Sequence, residues 1–144
     1  MQVHQILRSK PQASVITVMP GSSVADAARL LAERRIGAVI VSDDGARPVG
    51  ILSERDIVRD VGRRGGACLT DKVETLMTRN IISCAPEDST DSVLEKMTAG
   101  RFRHMPVLKD GKMVGIISIG DVVAARLSEL AMEKDALAGM IMGN

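Results

Sequence analysis

Apolar and polar positions follow one succession of patterns, and the chain runs through it twice. Val15-Ile16-Thr17-Val18 is a β-branched run that predicts a short strand. Pro20-Gly21-Ser22-Ser23 predicts a turn ending on a helix N-cap. Val24, Ala27, Ala28 and Leu31 then recur at i, i+3, i+4 and i+7, the stripe of an amphipathic helix. Gly37 follows where a helix C-cap is expected. Ala38-Val39-Ile40-Val41 is apolar throughout, a strand covered on both faces. Asp43-Asp44-Gly45 turns the chain, Val49-Gly50-Ile51-Leu52 completes a hairpin, and Ile57, Val58 and Val61 mark a helix after Asp56.

The second pass uses other residues in the same order. Val73, Leu76 and Met77 echo the leading Val3, Leu7 and their neighbours, which present one apolar face. Ile81-Ile82-Ser83-Cys84 predicts the strand, Pro86-Glu87-Asp88-Ser89 the turn, and Thr90, Val93, Leu94 and Met97 the helix, 66 residues after its first copy. Met105-Pro106-Val107-Leu108 predicts the buried strand, with Pro106 arguing for an edge or a strand start. Lys109-Asp110-Gly111 is the turn and Val114-Gly115-Ile116-Ile117 the returning strand. There the offset drops from 66 to 65, because Lys112-Met113 is shorter than Ala46-Arg47-Pro48, and a hairpin loop tolerates such a change best.

The repeat is sharpest at Gly50-Ile51-Leu52-Ser53-Glu54-Arg55-Asp56 and Gly115-Ile116-Ile117-Ser118-Ile119-Gly120-Asp121. Each reads as a buried strand that stops at a serine and turns into a helix with an aspartate in its first turn. Arg63-Arg64-Gly65-Gly66 is the linker candidate, with permissive glycines and solvated arginines. The expected organisation is a first unit over 1–65, a second over 72–130 and a helical tail over 131–144. The fold class is α/β (α+β), with two units packed about an approximate two-fold axis and small mixed sheets flanked by helices. A chain of about 60 residues buries only about 60% of its surface, so the halves are expected to pack on each other. Val123, Leu127, Leu130 and Ala131 lengthen the last helix, and the apolar 137–142 segment is expected to cover the domain or meet a partner.

Composition narrows the function. One Phe and no Tyr or Trp leave an aliphatic core with nine Met, and remove the stacking platforms that single-stranded nucleic acids need. A formal charge of +1 without long runs of one sign gives no reason to expect nucleic acid or a membrane surface as partner. Cys68 and Cys84 make no disulfide framework or zinc site, and with no signal peptide or spanning apolar run the expected location is cytoplasmic. His4 and His104 lack metal-ligand spacing to other groups, so no metal is expected.

Each Ser-x-x-Asp, taken singly, is what any capped helix start looks like. The same residues also suit an anionic ligand. The helix N-terminus offers N–H groups and a positive dipole end, the Ser53 and Ser118 hydroxyls can join them, and Asp56 and Asp121 can accept from two ribose hydroxyls. Arg55, whose counterpart is Gly120, and Arg103, whose counterpart is Gly37, can each fork onto phosphate.

The chain resembles a tandem pair of CBS domains (cystathionine-β-synthase-type), the module also called a Bateman domain, over roughly residues 3 to 130. The resemblance is carried by the strand–Ser–helix stretches at 49–56 and 114–121, by Leu76-Met77-Thr78, and by Arg103-His104-Met105-Pro106-Val107. It implies two βαββα units, two clefts between them, and adenine-nucleotide ligands such as AMP, ATP or NAD(H), with no catalytic cofactor. It also implies that each cleft draws on both units. The cleft of Ser53, Arg55 and Asp56 would use Thr78, Asn80 and Ile81. That of Ser118, Gly120 and Asp121 would use Ser14, Val15 and Ile36-Gly37, and Ala38, Arg103, His104, Met105 and Pro106 complete the constellation. The Asp56 cleft is expected to be the more positive. The leading function is a regulatory sensor, expected to be a homodimer, that relays nucleotide occupancy to a downstream protein. A ligand-free interaction module is the alternative. An enzyme is not expected: no nucleophile pairs with His104 in sequence, and nothing supplies the barrel into which IMP dehydrogenase inserts this module.

Overall fold

The computed structural model describes residues 1–10 and 15–142. Four serines start its four long helices. Ser23 accepts from the Asp26 N–H ahead of α2 (Val24–Arg34), and Ser89 from Ser92 ahead of α4 (Thr90–Gly100). Ser53 and Ser118 form full capping boxes with Asp56 and Asp121 ahead of α3 (Glu54–Arg64) and α5 (Ile119–Ile141). A short α1 (Val3–Ser9) precedes them all.

The first sheet is mixed: β1 (Thr17–Val18) runs parallel to β2 (Ala38–Val41), which pairs antiparallel with β3 (Gly50–Ser53). In the second unit β4 (His104–Lys109) and β5 (Lys112–Ser118) form an antiparallel hairpin, turned by Asp110 and Gly111 at φ 53° and 77°. The strand expected over Ile81 to Cys84 shrinks to one parallel bridge, Cys84 to Val107. Pro106 is the reason. Its repeat counterpart Ile40 donates its N–H to the Ile16 carbonyl at 3.3 Å, a bond that proline cannot make. What remains is Cys84 N–H to the Pro106 carbonyl at 3.1 Å and Leu108 N–H to the Cys84 carbonyl at 2.8 Å. Pro106 therefore sits mid-strand, its missing donor facing a segment that pairs only in part.

Two other expectations change. The C-cap of α2 is Arg35, left-handed at φ 53°, and that of α4 is Arg101 at φ 56°; Gly37 caps nothing. Glycine is required at 37 because a Cβ would lie 2.9 Å from the His104 ring. The linker is not a free tether. Gly65–Thr70 and Val73–Thr75 are 3₁₀ turns, and Arg64, exposed as expected, is also paired with Asp60 and Asp71.

The cores are built by exchange. Val3 and Ile6 of α1 are buried with Cys84, Val93, Met97, Met105, Val107, Ile117 and Val122 of the second unit. Val73 and Met77 are buried with Val24, Leu31, Val39, Leu52 and Ile57 of the first. Backbone bonds fix both crossings: Val3 N–H to the Asp88 carbonyl at 2.9 Å, and Val73 N–H to the Ser22 carbonyl at 2.8 Å. Gly115 lets Leu7 lie flat on β5 and Gly50 lets Met77 lie on β3, since Cβ atoms there would come within 2.5 and 2.3 Å of those side chains. Past the second unit α5 continues unbroken to Ile141. Its end does not fold back over the domain, and Leu137, Met140 and Ile141 stay exposed. No helix among the described residues is long and apolar enough to cross a membrane.

Val3 is fully buried in the second unit's core although it lies first in sequence. Val3→Ala should cost about 2 kcal/mol, read as a lower urea midpoint. Hydrogen exchange should speed up at Val107 and Ile117 before it does at Val39 and Leu52.

Candidate functional site

Two clefts open between the units, of about 460 Å³ on the Asp56 side and about 620 Å³ on the Asp121 side, both within the range of small-molecule sites. The Asp56 cleft gathers Gly37, Ser53, Arg55, Asp56, Thr78, Asn80, Ile81, Arg103, His104 and Pro106. The Asp121 cleft gathers Val15, Ile36, Gly37, Ala38, His104, Ser118 and Asp121. Residues of both units thus meet in each. Met105 is brought to neither cleft: it is fully buried in the second core, because alternate residues of β4 face inward. Gly120 is exposed and outside the lining, and Ser14 lies outside the described residues.

Sequence reasoning missed Glu54, Arg59, Arg101 and Phe102 on one side, and Leu7, Arg8, Lys10, Arg35 and Ile116 on the other. The repeat held a signal for some of them. Lys10 follows Leu7 as Asn80 follows Met77, and Arg35 stands to α2 as Arg101 stands to α4. These cations correct the expected charge difference. Four arginines face Glu54 and Asp56, while Arg8, Lys10 and Arg35 face Asp121, so the formal surplus of positive charge is equal.

The helix starts offer less to an anion than their caps suggest. The Glu54 N–H is used by the Gly37 carbonyl at 2.9 Å and the Ile119 N–H by the Arg103 carbonyl at 2.8 Å. The Asp56 and Asp121 N–H groups bond Ser53 Oγ at 3.3 Å and Ser118 Oγ at 3.1 Å. Only the Arg55 and Gly120 N–H groups in those first turns lack a partner among the described residues. Asp56 Oδ2 accepts from Ser53 N–H at 2.9 Å and from Ser53 Oγ at 3.0 Å, so that hydroxyl proton is committed to the cap. Asp56 Oδ1 lies 3.8 Å from a mostly exposed Arg59. Asp121 Oδ2 accepts from Ser118 N–H and from Lys10 Nζ, both at 2.9 Å. Burial opposes the charge on Asp121, but the Lys10 ammonium and the Ser118 donors outweigh it and hold the carboxyl below its usual range. Arg55, Arg101 and Arg103 make no ion pair among the described residues and remain available to an anionic ligand.

His104 and Gly37 border both clefts and form the partition between them. Burial pushes the imidazole pKa down; Glu54 and Asp121 pull it up, Lys10 and Arg103 add to the lowering, and the net direction is down. His104 is therefore neutral near pH 7.

The family model for the CBS domain matches residues 3–63 and 73–128. A CBS-domain protein of Agrobacterium tumefaciens superimposes with a TM-score of 0.83 at 44% identity, over 88% of this chain and 99% of that one. A CBS domain protein of Pyrobaculum aerophilum, solved in complex with AMP, gives 0.78 at 28% identity, over 92% and 99%. The mitochondrial CBS domain-containing protein CBSX3 of Arabidopsis thaliana is 35% identical over 125 residues, 84% of this chain; the chain spans 61% of that relative's length.

The depressed His104 pKa carries a sign for stability. Its contribution is complete above the ordinary imidazole value of about 6.5 and is lost as pH falls through the lower folded value. Urea midpoints should fall from pH 7 to pH 5, and His104→Gln should remove that part of the slope. An NMR titration of the His104 ring should place its midpoint below 6.5.

Proposed function

Because the chain belongs to the CBS-domain family and carries two CBS units, we propose that it is a non-catalytic regulatory module binding adenine nucleotides in its two clefts. The observation that carries this reading is the pairing, in each cleft, of a carboxylate at the third position of a helix with cations contributed by the other unit. Asp56 Oδ1 and Asp121 are the acceptors for ribose hydroxyls, and Arg55, Arg101 and Arg103 take phosphate in the first cleft. Aliphatic Ile81 and Ile82, or Val15 and Ile16, flank the base. The AMP complex of the Pyrobaculum aerophilum protein supports this ligand class over nucleotides with other bases. AMP, ATP and NAD(H) share the adenosine that such a cleft would hold.

Since each cleft is bounded by both units, a ligand with unequal affinity for two arrangements of the units shifts their balance, and a downstream protein senses that shift. A reducing cytoplasmic setting suits two free, buried thiols, Cys68 and Cys84.

The partner surface we assign to α5. Val123, Leu127, Leu130, Leu137 and Ile141 are all exposed and recur every three or four residues along one stripe, broken by Lys134. That is the seam of a helix pair. Run antiparallel against a second copy, Val123 meets Ile141 and Leu127 meets Leu137, with Lys134 over Leu130, so a homodimer covers the stripe. A ligand-free interaction module, the second reading, would rest on this stripe alone.

With ligand a hundredfold above its dissociation constant, linkage adds about 2.7 kcal/mol of stability. Thermal shift with AMP, ADP, ATP, NAD and NADH should raise the melting temperature of the wild type, and Asp56→Ala and Asp121→Ala should each remove one cleft's share. A melting curve indifferent to all five would leave the interaction module standing instead. Leu127→Glu with Leu130→Glu should convert a dimer to a monomer in sedimentation velocity; a monomeric wild type at micromolar concentration would sink the dimer.

A further inference from the structure

The two clefts are related by the repeat, so one can be compared with the other, and one of their differences bears directly on the aspartates. Val3 and Val73, and likewise Leu7 and Met77, are 70 residues apart and occupy matching seats in the exchanged cores. Continuing the match brings Lys10 into the Asp121 cleft where Asn80 enters the Asp56 cleft. Asn80 makes no side-chain hydrogen bond to Asp56 among the described residues, and Asp56 is bonded only within its own cap apart from the 3.8 Å approach of Arg59. Lys10 does bind its aspartate. Its Nζ donates to Asp121 Oδ2 at 2.9 Å and to the Ile116 carbonyl at 2.9 Å, with both side chains about one-quarter exposed.

We propose that Lys10 is an internal latch on the Asp121 cleft, occupying the carboxylate that a ribose must reach, so that the Asp56 cleft fills first and the Asp121 cleft only when Lys10 is displaced. The inference rests on the nucleotide reading given above. Its physics is competition for one carboxylate. Oδ2 of each aspartate accepts two donors, but those on Asp56 both come from Ser53 of its own cap, whereas one on Asp121 is a full positive charge reaching in from the other unit; that ammonium stands beside Oδ1 as well, and a neutral sugar hydroxyl is the weaker donor. The depressed pKa of Asp121 agrees with a pair that holds in the free protein. The Ile116 carbonyl seats the ammonium a second time, so displacement breaks two bonds at once. In the Asp56 cleft an amide stands where the ammonium would be, and no such displacement precedes binding.

The test swaps the two residues in the full chain and follows AMP binding by calorimetry. Asp56→Ala isolates the Asp121 cleft and Asp121→Ala the Asp56 cleft. In the first background Lys10→Asn should tighten AMP about fivefold, the scale of one partly exposed ion pair, and Lys10→Gln should do the same. In the second, Asn80→Lys should weaken AMP by a similar factor. AMP binding that is unchanged or weaker in both Lys10 variants overturns the latch and leaves the nucleotide reading intact. A wild type and variants that all give neither heat nor a thermal shift with AMP overturn both.

Discussion

Exchange of the leading segments is the constraint on which the rest of this structure depends. Val3 and Ile6 complete the core of the second unit, and Val73 and Met77 that of the first. Neither unit encloses its own apolar residues without chain contributed from the other's side of the sequence. The exchange is made possible by two glycines at the same repeat position. Gly50 and Gly115 remove the Cβ that would collide with Met77 and Leu7, and each crossing is pinned by a backbone bond to the turn before a capped helix. For small units with an aliphatic core this is an efficient route to burial, because each leading segment covers a sheet face that its neighbour would otherwise expose to water.

The clefts follow from the same crossing. After seating their apolar residues, both leading segments run on along the edge of the partner unit's helix start, and this carries Lys10 to Asp121 and Thr78 and Asn80 to Asp56. The aspartates are already placed by a local rule, since a capping box orients its third residue whatever else surrounds it. Local capping therefore supplies the acidic group, and the tertiary crossing supplies what faces it. Gly37 and His104 close the space between the clefts, the glycine being required by the ring that packs on it. An imidazole kept neutral by burial is a suitable wall between two clefts lined by cations.

Duplication did not leave identical halves. Pro106 takes the place of Ile40, removes one donor, and reduces a parallel strand to a single bridge while the two antiparallel hairpins persist. Antiparallel pairing in each unit joins residues close in sequence, so it survives the loss. The parallel pairing joins segments separated by a helix and depends on very few bonds, so one missing N–H is felt. Arg35 and Arg101, in left-handed caps, are a feature that both halves retain and that the expectation of a glycine cap overlooked.

The capped helix starts, the hairpins, the repeat offset and the aspartate that lines each cleft were legible in the chain, because each depends on contacts within a few residues. Local chemistry also marked Arg103 and His104, which follow a helix end and open a strand. What could not be read was everything decided by which segment lies against which. The paired Arg64, the committed Ser53 hydroxyl, the burial of Met105 away from the clefts and the hold of Lys10 on Asp121 are of this kind. Lys10 and Asp121 are 111 residues apart, and no periodicity or cap signal reaches that far. The chain by itself determined two similar units, each with an acidic helix start. Only the tertiary structure decided that each unit is completed by the other's leading segment, because burial is a property of surfaces that meet in space and not of neighbours along the chain.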